Sequence, residues 1–164
     1  MQSAQRRRVA NLLGGLSVAI SDLVAAGSRQ AALVALDSHP DRTVVQLSRA
    51  LARSHSATVR LVDGLVRGGL ARRASAADPR AVLVTLTPAG RAAAAAVRRD
   101  RAQALDQLVA ALSETDVQAL EPVLERLLAA SAVDADSRWR TCRLCDEARC
   151  ESGRPCPVDE AAPR

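Results

Sequence analysis

All four cysteines of the chain stand in one short stretch, CRLCDEARCESGRPCPV, at Cys142, Cys145, Cys150 and Cys156. The spacing is C-x2-C-x4-C-x5-C. Four thiolates so placed can converge on one tetrahedral ion: the C-x2-C turn supplies two ligands and short loops return the others. The same set can hold an iron–sulfur cluster. Arg143, Arg149 and Arg154 lie among the cysteines and would favour thiolates, whereas Asp146, Glu147 and Glu151 oppose that. Zinc, an iron–sulfur cluster, redox-active disulfides and idle reduced thiols all fit this pattern.

In spacing the stretch is near a zinc knuckle, with Cys150 where that motif has histidine. No aromatic residue lies between Cys142 and Cys156, so the aromatic grip of knuckles on single-stranded nucleic acid is missing. Trp139, just upstream, either docks this segment on the rest of the chain or stands exposed. The two histidines add no second centre. His39 falls in a turn and reads as a surface residue, and His55 opens a helix. Neither has a partner at the spacing of a triad or metal site, and LLGGL and RGGL lack the pattern of a phosphate loop. The residues supply no positive sign of an enzyme.

The elements that carry these residues are built without phenylalanine or tyrosine. The chain has 164 residues, 48% of them hydrophobic, enough for one domain with a real core of Leu, Val, Ile and Ala. Its 23 basic residues are all arginine, and the net charge of +5 points toward a polyanionic partner. The N-terminal RRRVANLLGGLSVAISDLV has the outline of a signal peptide. However, Asn11, Ser17, Ser21 and Asp22 interrupt it, and Val9, Leu12, Leu13, Leu16, Ile20, Leu23 and Val24 follow helical spacing. The expectation is a cytoplasmic protein with no membrane partner.

A first helix is predicted from about residue 4 to Ala26, closed by Gly27. Ser28 is expected to cap a second helix through about Asp37, before the turn-like SHPDRT. Two short helices follow: TVVQLSRALA, then SHSATVRLVDGLVRGGL with Ser54 as N-cap and Gly68-Gly69 as stop. The period then changes. Val82, Val84 and Leu86 alternate with Leu83, Thr85 and Thr87, and AADPR supplies a turn, so LARRASAADPRAVLVTLT reads as a hairpin. Thr87-Pro88 restarts a helix to about Leu112, with Gly90 a minor cost near its start, and Ser113 with Asp116 opens another through about Ala130. From about Val133 the composition turns to Pro, Gly, Cys and polar residues, a tail.

Two short helices followed by a two-stranded hairpin make a winged helix-turn-helix, the second helix entering a DNA major groove and the hairpin reaching the adjacent backbone or minor groove. On that second helix Val59, Val62, Leu65 and Val66 share one side at about 100° per residue, with Ser56, Arg60 and Arg67 opposite. Residues 40–91 hold nine arginines and three acidic residues, whereas residues 97–136 hold four and eight. Positive charge thus gathers where the groove-binding unit should be.

The stretch LSRALARSHSATVRLVDGLVRGGLARRASAADPRAVLVTLTPAGR resembles the winged-helix core of the MarR (multiple antibiotic resistance regulator) family over about residues 30–91. The matches lie in VRLVDGLVRGGL, DPRAVLV and LTPAGR. The resemblance implies a mainly α fold with a small hairpin. In that layout residues 1–133 are a single domain: dimerisation and support helices over 1–38, the winged helix-turn-helix over 40–91, and the long helix and C-terminal dimerisation helix over 88–130. Residues 134–164 are the added cysteine tail. It also implies a homodimer on a pseudo-palindromic operator in double-stranded DNA, usually as a repressor, with an effector the sequence does not name. Arg80 falls on the wing arginine that enters the minor groove, and Asp78 on the residue that fixes the wing tip. Arg60 falls on the recognition-helix arginine and Ser54 on the helix-opening serine. The expected DNA-facing set is Ser54, His55, Ser56, Thr58, Arg60, Arg72, Arg73, Asp78 and Arg80. This chain departs from the family at Ser56-Ala57-Thr58-Val59, where the hydroxyl has moved one place along, and at Arg53, often apolar. The long apolar stripes at both ends of residues 1–133 independently favour a symmetric dimer. A second reading is a metal- or redox-responsive conformational switch with only weak DNA binding.

Overall fold

The computed structural model describes residues 2–24, 27–75, 82–150 and 154–163. Helix α1 (Gln2–Val24) is followed by α2 (Ser28–Ser38), strand β1 (Arg42–Thr43), α3 (Val44–Ala50) and α4 (His55–Arg67). Strands β2 (Ala71–Ser75) and β3 (Val82–Leu86) lead into the long α5 (Pro88–Val109) and then α6 (Glu114–Ala130). Three short helices close the chain: α7 (Ser137–Thr141), α8 (Glu147–Cys150) and α9 (Pro157–Ala161).

The centre of the fold is α2. Ala31 to Leu36 are all buried, so this helix is enclosed on every side rather than amphipathic. Around it pack Leu47 and Leu51 from α3 and its end, Val62 and Leu65 from α4, Val84 and Leu86 from β3, and Ala94 from α5. The cap of α2 is the Gly27 backbone without a side-chain bond, which corrects the expectation for Ser28. The Ser28 hydroxyl instead accepts from Arg53, the residue that stands where the family often has an apolar one.

Local signals set most helix starts. Ser54 Oγ accepts from the Ala57 N–H, Thr87 Oγ1 from Gly90, and Ser113 forms a capping box with Asp116. Thr43 forms a further box with Gln46. The sheet has the order β1-β3-β2 and is antiparallel throughout, with Arg42 opposite Val84 and Ala71 opposite Leu86. Strand β1 falls in a segment the sequence shows only as a turn; two residues are too short to display a period. Asp41 enters it with φ of 59°, its carboxylate accepting from the Thr85 hydroxyl at 3.0 Å.

Gly90 is required rather than tolerated. A Cβ there would stand 1.9 Å from the Leu70 carbonyl oxygen, so the start of α5 and the start of the hairpin are in backbone contact. Farther along, Arg98 of α5 pairs with Asp37 of α2 in a site where both side chains are mostly buried.

The segment after Val133 is more than a polar tail. Ser137 and Val158 are each 1% exposed, and Leu144 packs against the core cluster. Helix α7 packs on α3 and α9 on α6. By contrast, Val9, Leu12, Leu13 and Leu16 of α1 and Leu120, Leu124, Leu127 and Leu128 of α6 are left exposed in the single chain. No single described helix is long and apolar enough to cross a membrane.

Candidate functional site

Helix α4 presents a polar face because its apolar face is anchored. Thr58, Val62 and Leu65 are buried, with Val59 and Val66 only partly so. The buried stripe is therefore centred one residue from the Val59 reference read from the sequence. Ser54, His55, Ser56, Arg60 and Arg67 are exposed. The Ser54 and Ser56 hydroxyls lie 3.3 Å apart at the helix start, where backbone N–H groups and the helix dipole favour phosphate.

Thr58 does not belong to this face, which corrects its place in the expected DNA-facing set. It is 0% exposed, and its hydroxyl donates to the Ser54 carbonyl at 3.0 Å. The hydroxyl shift at Ser56-Ala57-Thr58-Val59 thus puts an internal brace into the core side of the helix.

Arg72 and Arg73 are exposed on β2. Arg73 donates to Asp63 at 2.7 Å and so ties the wing strand to α4. Asp78 and Arg80 lie outside the described residues. Gly69, with φ of 68°, makes the left-handed turn from α4 into β2.

A second constellation joins the cysteine segment to the winged-helix unit. The Trp139 ring lies under Arg42 of β1 at 3.8 Å and Arg138 at 4.2 Å, with the His39 ring edge-on at 4.7 Å. His39 Nε2 stands 3.1 Å from Glu147 Oε1. Burial pushes the His39 pKa below its ordinary value, against the pull of Glu147. His39 is therefore a docking residue and not a free surface turn, and Trp139 anchors the segment. The one sequence signal for this was the lone tryptophan of an aromatic-poor chain standing next to the cysteines.

Cys142, Cys145, Cys150 and Cys156 are half-buried, form no disulfide and line one cavity of about 40 Å³ beside Trp139 and His39. Cys142 neighbours Cys156, and Cys145 neighbours Cys150. Burial, and then the neighbouring thiols, push Cys142 and Cys145 up to about 12. The expected lowering by nearby arginines does not prevail. Arg143 donates to the Arg140 carbonyl, Arg149 to Asp106 of α5 at 2.9 Å, and Arg154 to Glu125 of α6 at 3.2 Å. Those arginines fasten the segment down. Among the described residues no group of three or more His, Cys, Asp or Glu side chains is placed to hold a metal ion as it stands. The thiols are arranged as two pairs facing one small space.

Residues 31–81 match the family model described as the MarR family. A comparison with curated proteins gives no significant match. Among solved structures, the chain is similar to a MarR family protein from Bacillus stearothermophilus, with 23% identity, a TM-score of 0.69, and 77% of this chain and 95% of that one covered. It is similar to MepR, a transcription regulator of the Staphylococcus aureus multidrug efflux pump MepA, at 21% identity and TM-score 0.66, covering 74% and 96%. It is also similar to Streptococcus pneumoniae FabT, solved in complex with DNA, at 19% identity and TM-score 0.57, covering 77% and 93%. The chain therefore has the winged-helix fold of MarR family structures over about three quarters of its length, and matches that family's model over the segment that carries α3, α4 and β2.

Proposed function

We propose that this chain is a MarR-family transcription regulator that binds double-stranded operator DNA sequence-specifically, as a homodimer and as a repressor. The observation that carries the reading is the exposed start of α4. There Ser54, His55, Ser56 and Arg60 project together from a helix whose other face is locked in the core by Thr58, Val62 and Leu65. A hydroxyl-rich helix N-terminus suits phosphate, and Arg60 one turn on suits a base edge or phosphate. Arg72 of the hairpin extends the basic surface, and the family resemblance assigns Arg80 to the minor groove.

The homodimer rests on the apolar stripes of α1 and α6, exposed in one chain at both ends of the winged-helix unit. A second copy related by a two-fold axis covers such stripes and sets two recognition helices against two half-sites. The cysteine segment is the regulator's proposed input, through metal or redox chemistry, since it is seated on the helix-turn-helix. If DNA affinity is weak, the same docking favours the second reading, a metal- or redox-responsive conformational switch.

Salt-dependent binding to the DNA upstream of the protein's own gene decides between them. Tight specific binding should weaken about 5- to 150-fold in Arg60→Ala if that arginine reads a base, with a loss of about 1–3 kcal/mol. A phosphate contact at Arg80 should flatten the salt slope by about one on Arg80→Ala. Unchanged specific binding in both variants would remove these residues from the interface.

A further inference from the structure

We propose that the four cysteines form a thiolate site for a single metal ion of the zinc class, and that loading it clasps the helix-turn-helix to the long helices behind it. The site stands on its own geometry; the effect on operator binding rests on the regulator reading above.

The ligands come from four separate places in the last part of the fold. Cys142 follows α7, Cys145 lies in the next turn, Cys150 ends α8 and Cys156 caps α9. Four residues from so many short elements meet at one cavity only because the segment folds back on itself. About 40 Å³ is more than a single water-sized sphere needs and holds one ion. Thiolates about 2.3 Å from one tetrahedral ion stand about 3.8 Å from one another, which is the separation of sulfurs in hydrogen-bond contact. Cys142 and Cys156, and Cys145 and Cys150, are already neighbours at the cavity.

Charge points the same way. The arginines interleaved with the cysteines are engaged with Asp106, Glu125 and the Arg140 carbonyl. A bound cation would supply the compensation that four thiolates require. On binding, each thiol gives its proton to solvent and forms one sulfur–metal bond, with no change of oxidation state.

The position of the site gives loading a mechanical consequence. One wall is Trp139, in contact with Arg42 of β1 and Arg138, with the ring of His39 from the end of α2 edge-on to it. Helix α7 rests on α3, the first helix of the helix-turn-helix. On the other side α9 rests on α6, with Arg149 on α5 and Arg154 on α6. An ion held by the four sulfurs would bridge Cys142, at the end of α7, to Cys156, at the start of α9. That bridge would fix α7 to α9, and so the DNA-reading unit to the long helices. Fixing the unit lowers the ordering cost of DNA binding, and the coupling is reciprocal.

The test uses the full chain, purified reduced, without oxygen and with chelator, then titrated with Co²⁺ and with Zn²⁺. One equivalent of Co²⁺ should give intense visible bands of tetrahedral thiolate coordination, with charge-transfer absorption in the ultraviolet, and Zn²⁺ should displace it. Cys145→Ser and Cys156→Ser, each checked for retained helicity, should lose these bands. Zn²⁺ should tighten operator binding of the native chain by at least about 5-fold, and chelator should reverse it. Four titratable thiols with no bound metal overturn the site, as do unaltered bands in the variants, stoichiometric iron with sulfide, or two disulfides in place of metal. Metal binding with equal operator affinity in the two states overturns the clasp. A chain that takes the metal but binds no operator in either state overturns the regulator reading and the coupling with it, and leaves the site supported.

Discussion

Replacing Gly90 by alanine should destabilise the protein, although alanine is the better helix former. Gly90 is the third residue of α5, and its N–H donates to the capping Thr87 hydroxyl at 3.1 Å. Intrinsic propensity alone would favour alanine by up to about 1 kcal/mol. The new Cβ, however, would stand 1.9 Å from the Leu70 carbonyl oxygen, 2.9 Å from the Leu70 carbonyl carbon and 3.2 Å from Leu86 Cδ2. The first two atoms are backbone, so no rotamer relieves the clash. The start of α5 must part from Leu70 by more than about 1 Å to restore an ordinary contact. That strains the bond from the Thr87 N–H to the Leu70 carbonyl, 3.0 Å long, and the bond from the Thr87 hydroxyl to the Gly69 carbonyl, 2.6 Å long. Overpacking costs about 1–3 kcal/mol and a weakened hydrogen bond about 1 kcal/mol more. Against the propensity gain, the net expectation is a loss of about 2 kcal/mol, or roughly 4–8 °C in Tm. Gly64→Ala is the control: no atom lies within 4 Å of its Cβ, so up to about 1 kcal/mol of stabilisation is expected. Thermal and urea unfolding should be compared at one chain concentration, because self-association shifts Tm. A Gly90→Ala protein as stable as the native one would refute the close approach.

Thr58→Val should cost up to about 1 kcal/mol in urea unfolding, by loss of the hydroxyl bond to Ser54, and leave the salt slope of DNA binding intact; a changed slope would return Thr58 to the interface. Arg98→Ala leaves the Asp37 carboxylate, 17% exposed, without its partner, and should lower stability by about 1–3 kcal/mol, less than for a fully buried pair. No measurable loss would show that the α2–α5 contact does not depend on it. Leu124→Glu should convert the proposed homodimer to monomer in light scattering, because it places a charge in the exposed stripe of α6; an intact dimer would move the interface elsewhere. Trp139→Ala should make the segment after Val133 faster to proteolyse in the native protein, and an unchanged rate would rule out the tryptophan as its anchor.

What the chain announced on its own was local. Ser54, Thr87-Pro88 and Ser113 with Asp116 mark helix starts because a cap joins residues three apart, and that bond needs no tertiary partner. The alternation at Val82, Val84 and Leu86 marks a strand for the same reason of short range. These signals, in order, sufficed for the winged-helix architecture and placed Ser56, Arg60 and Arg67 on an outward face. Tertiary structure decided what depends on residues far apart. A helical wheel fits the α4 stripe nearly as well about Val59 as about Thr58, and only packing against α2 and β3 chose the second and took Thr58 from the surface. β1 exists because β3, about forty residues on, supplies its hydrogen bonds. Gly90 reads as a helix fault until the Leu70 carbonyl is seen beneath it. The cysteine spacing left metal, disulfide and idle thiol open, since spacing constrains which sulfurs can meet but not what surrounds them. Their surroundings, a small cavity walled by a tryptophan seated on β1, come from contacts spanning about a hundred residues.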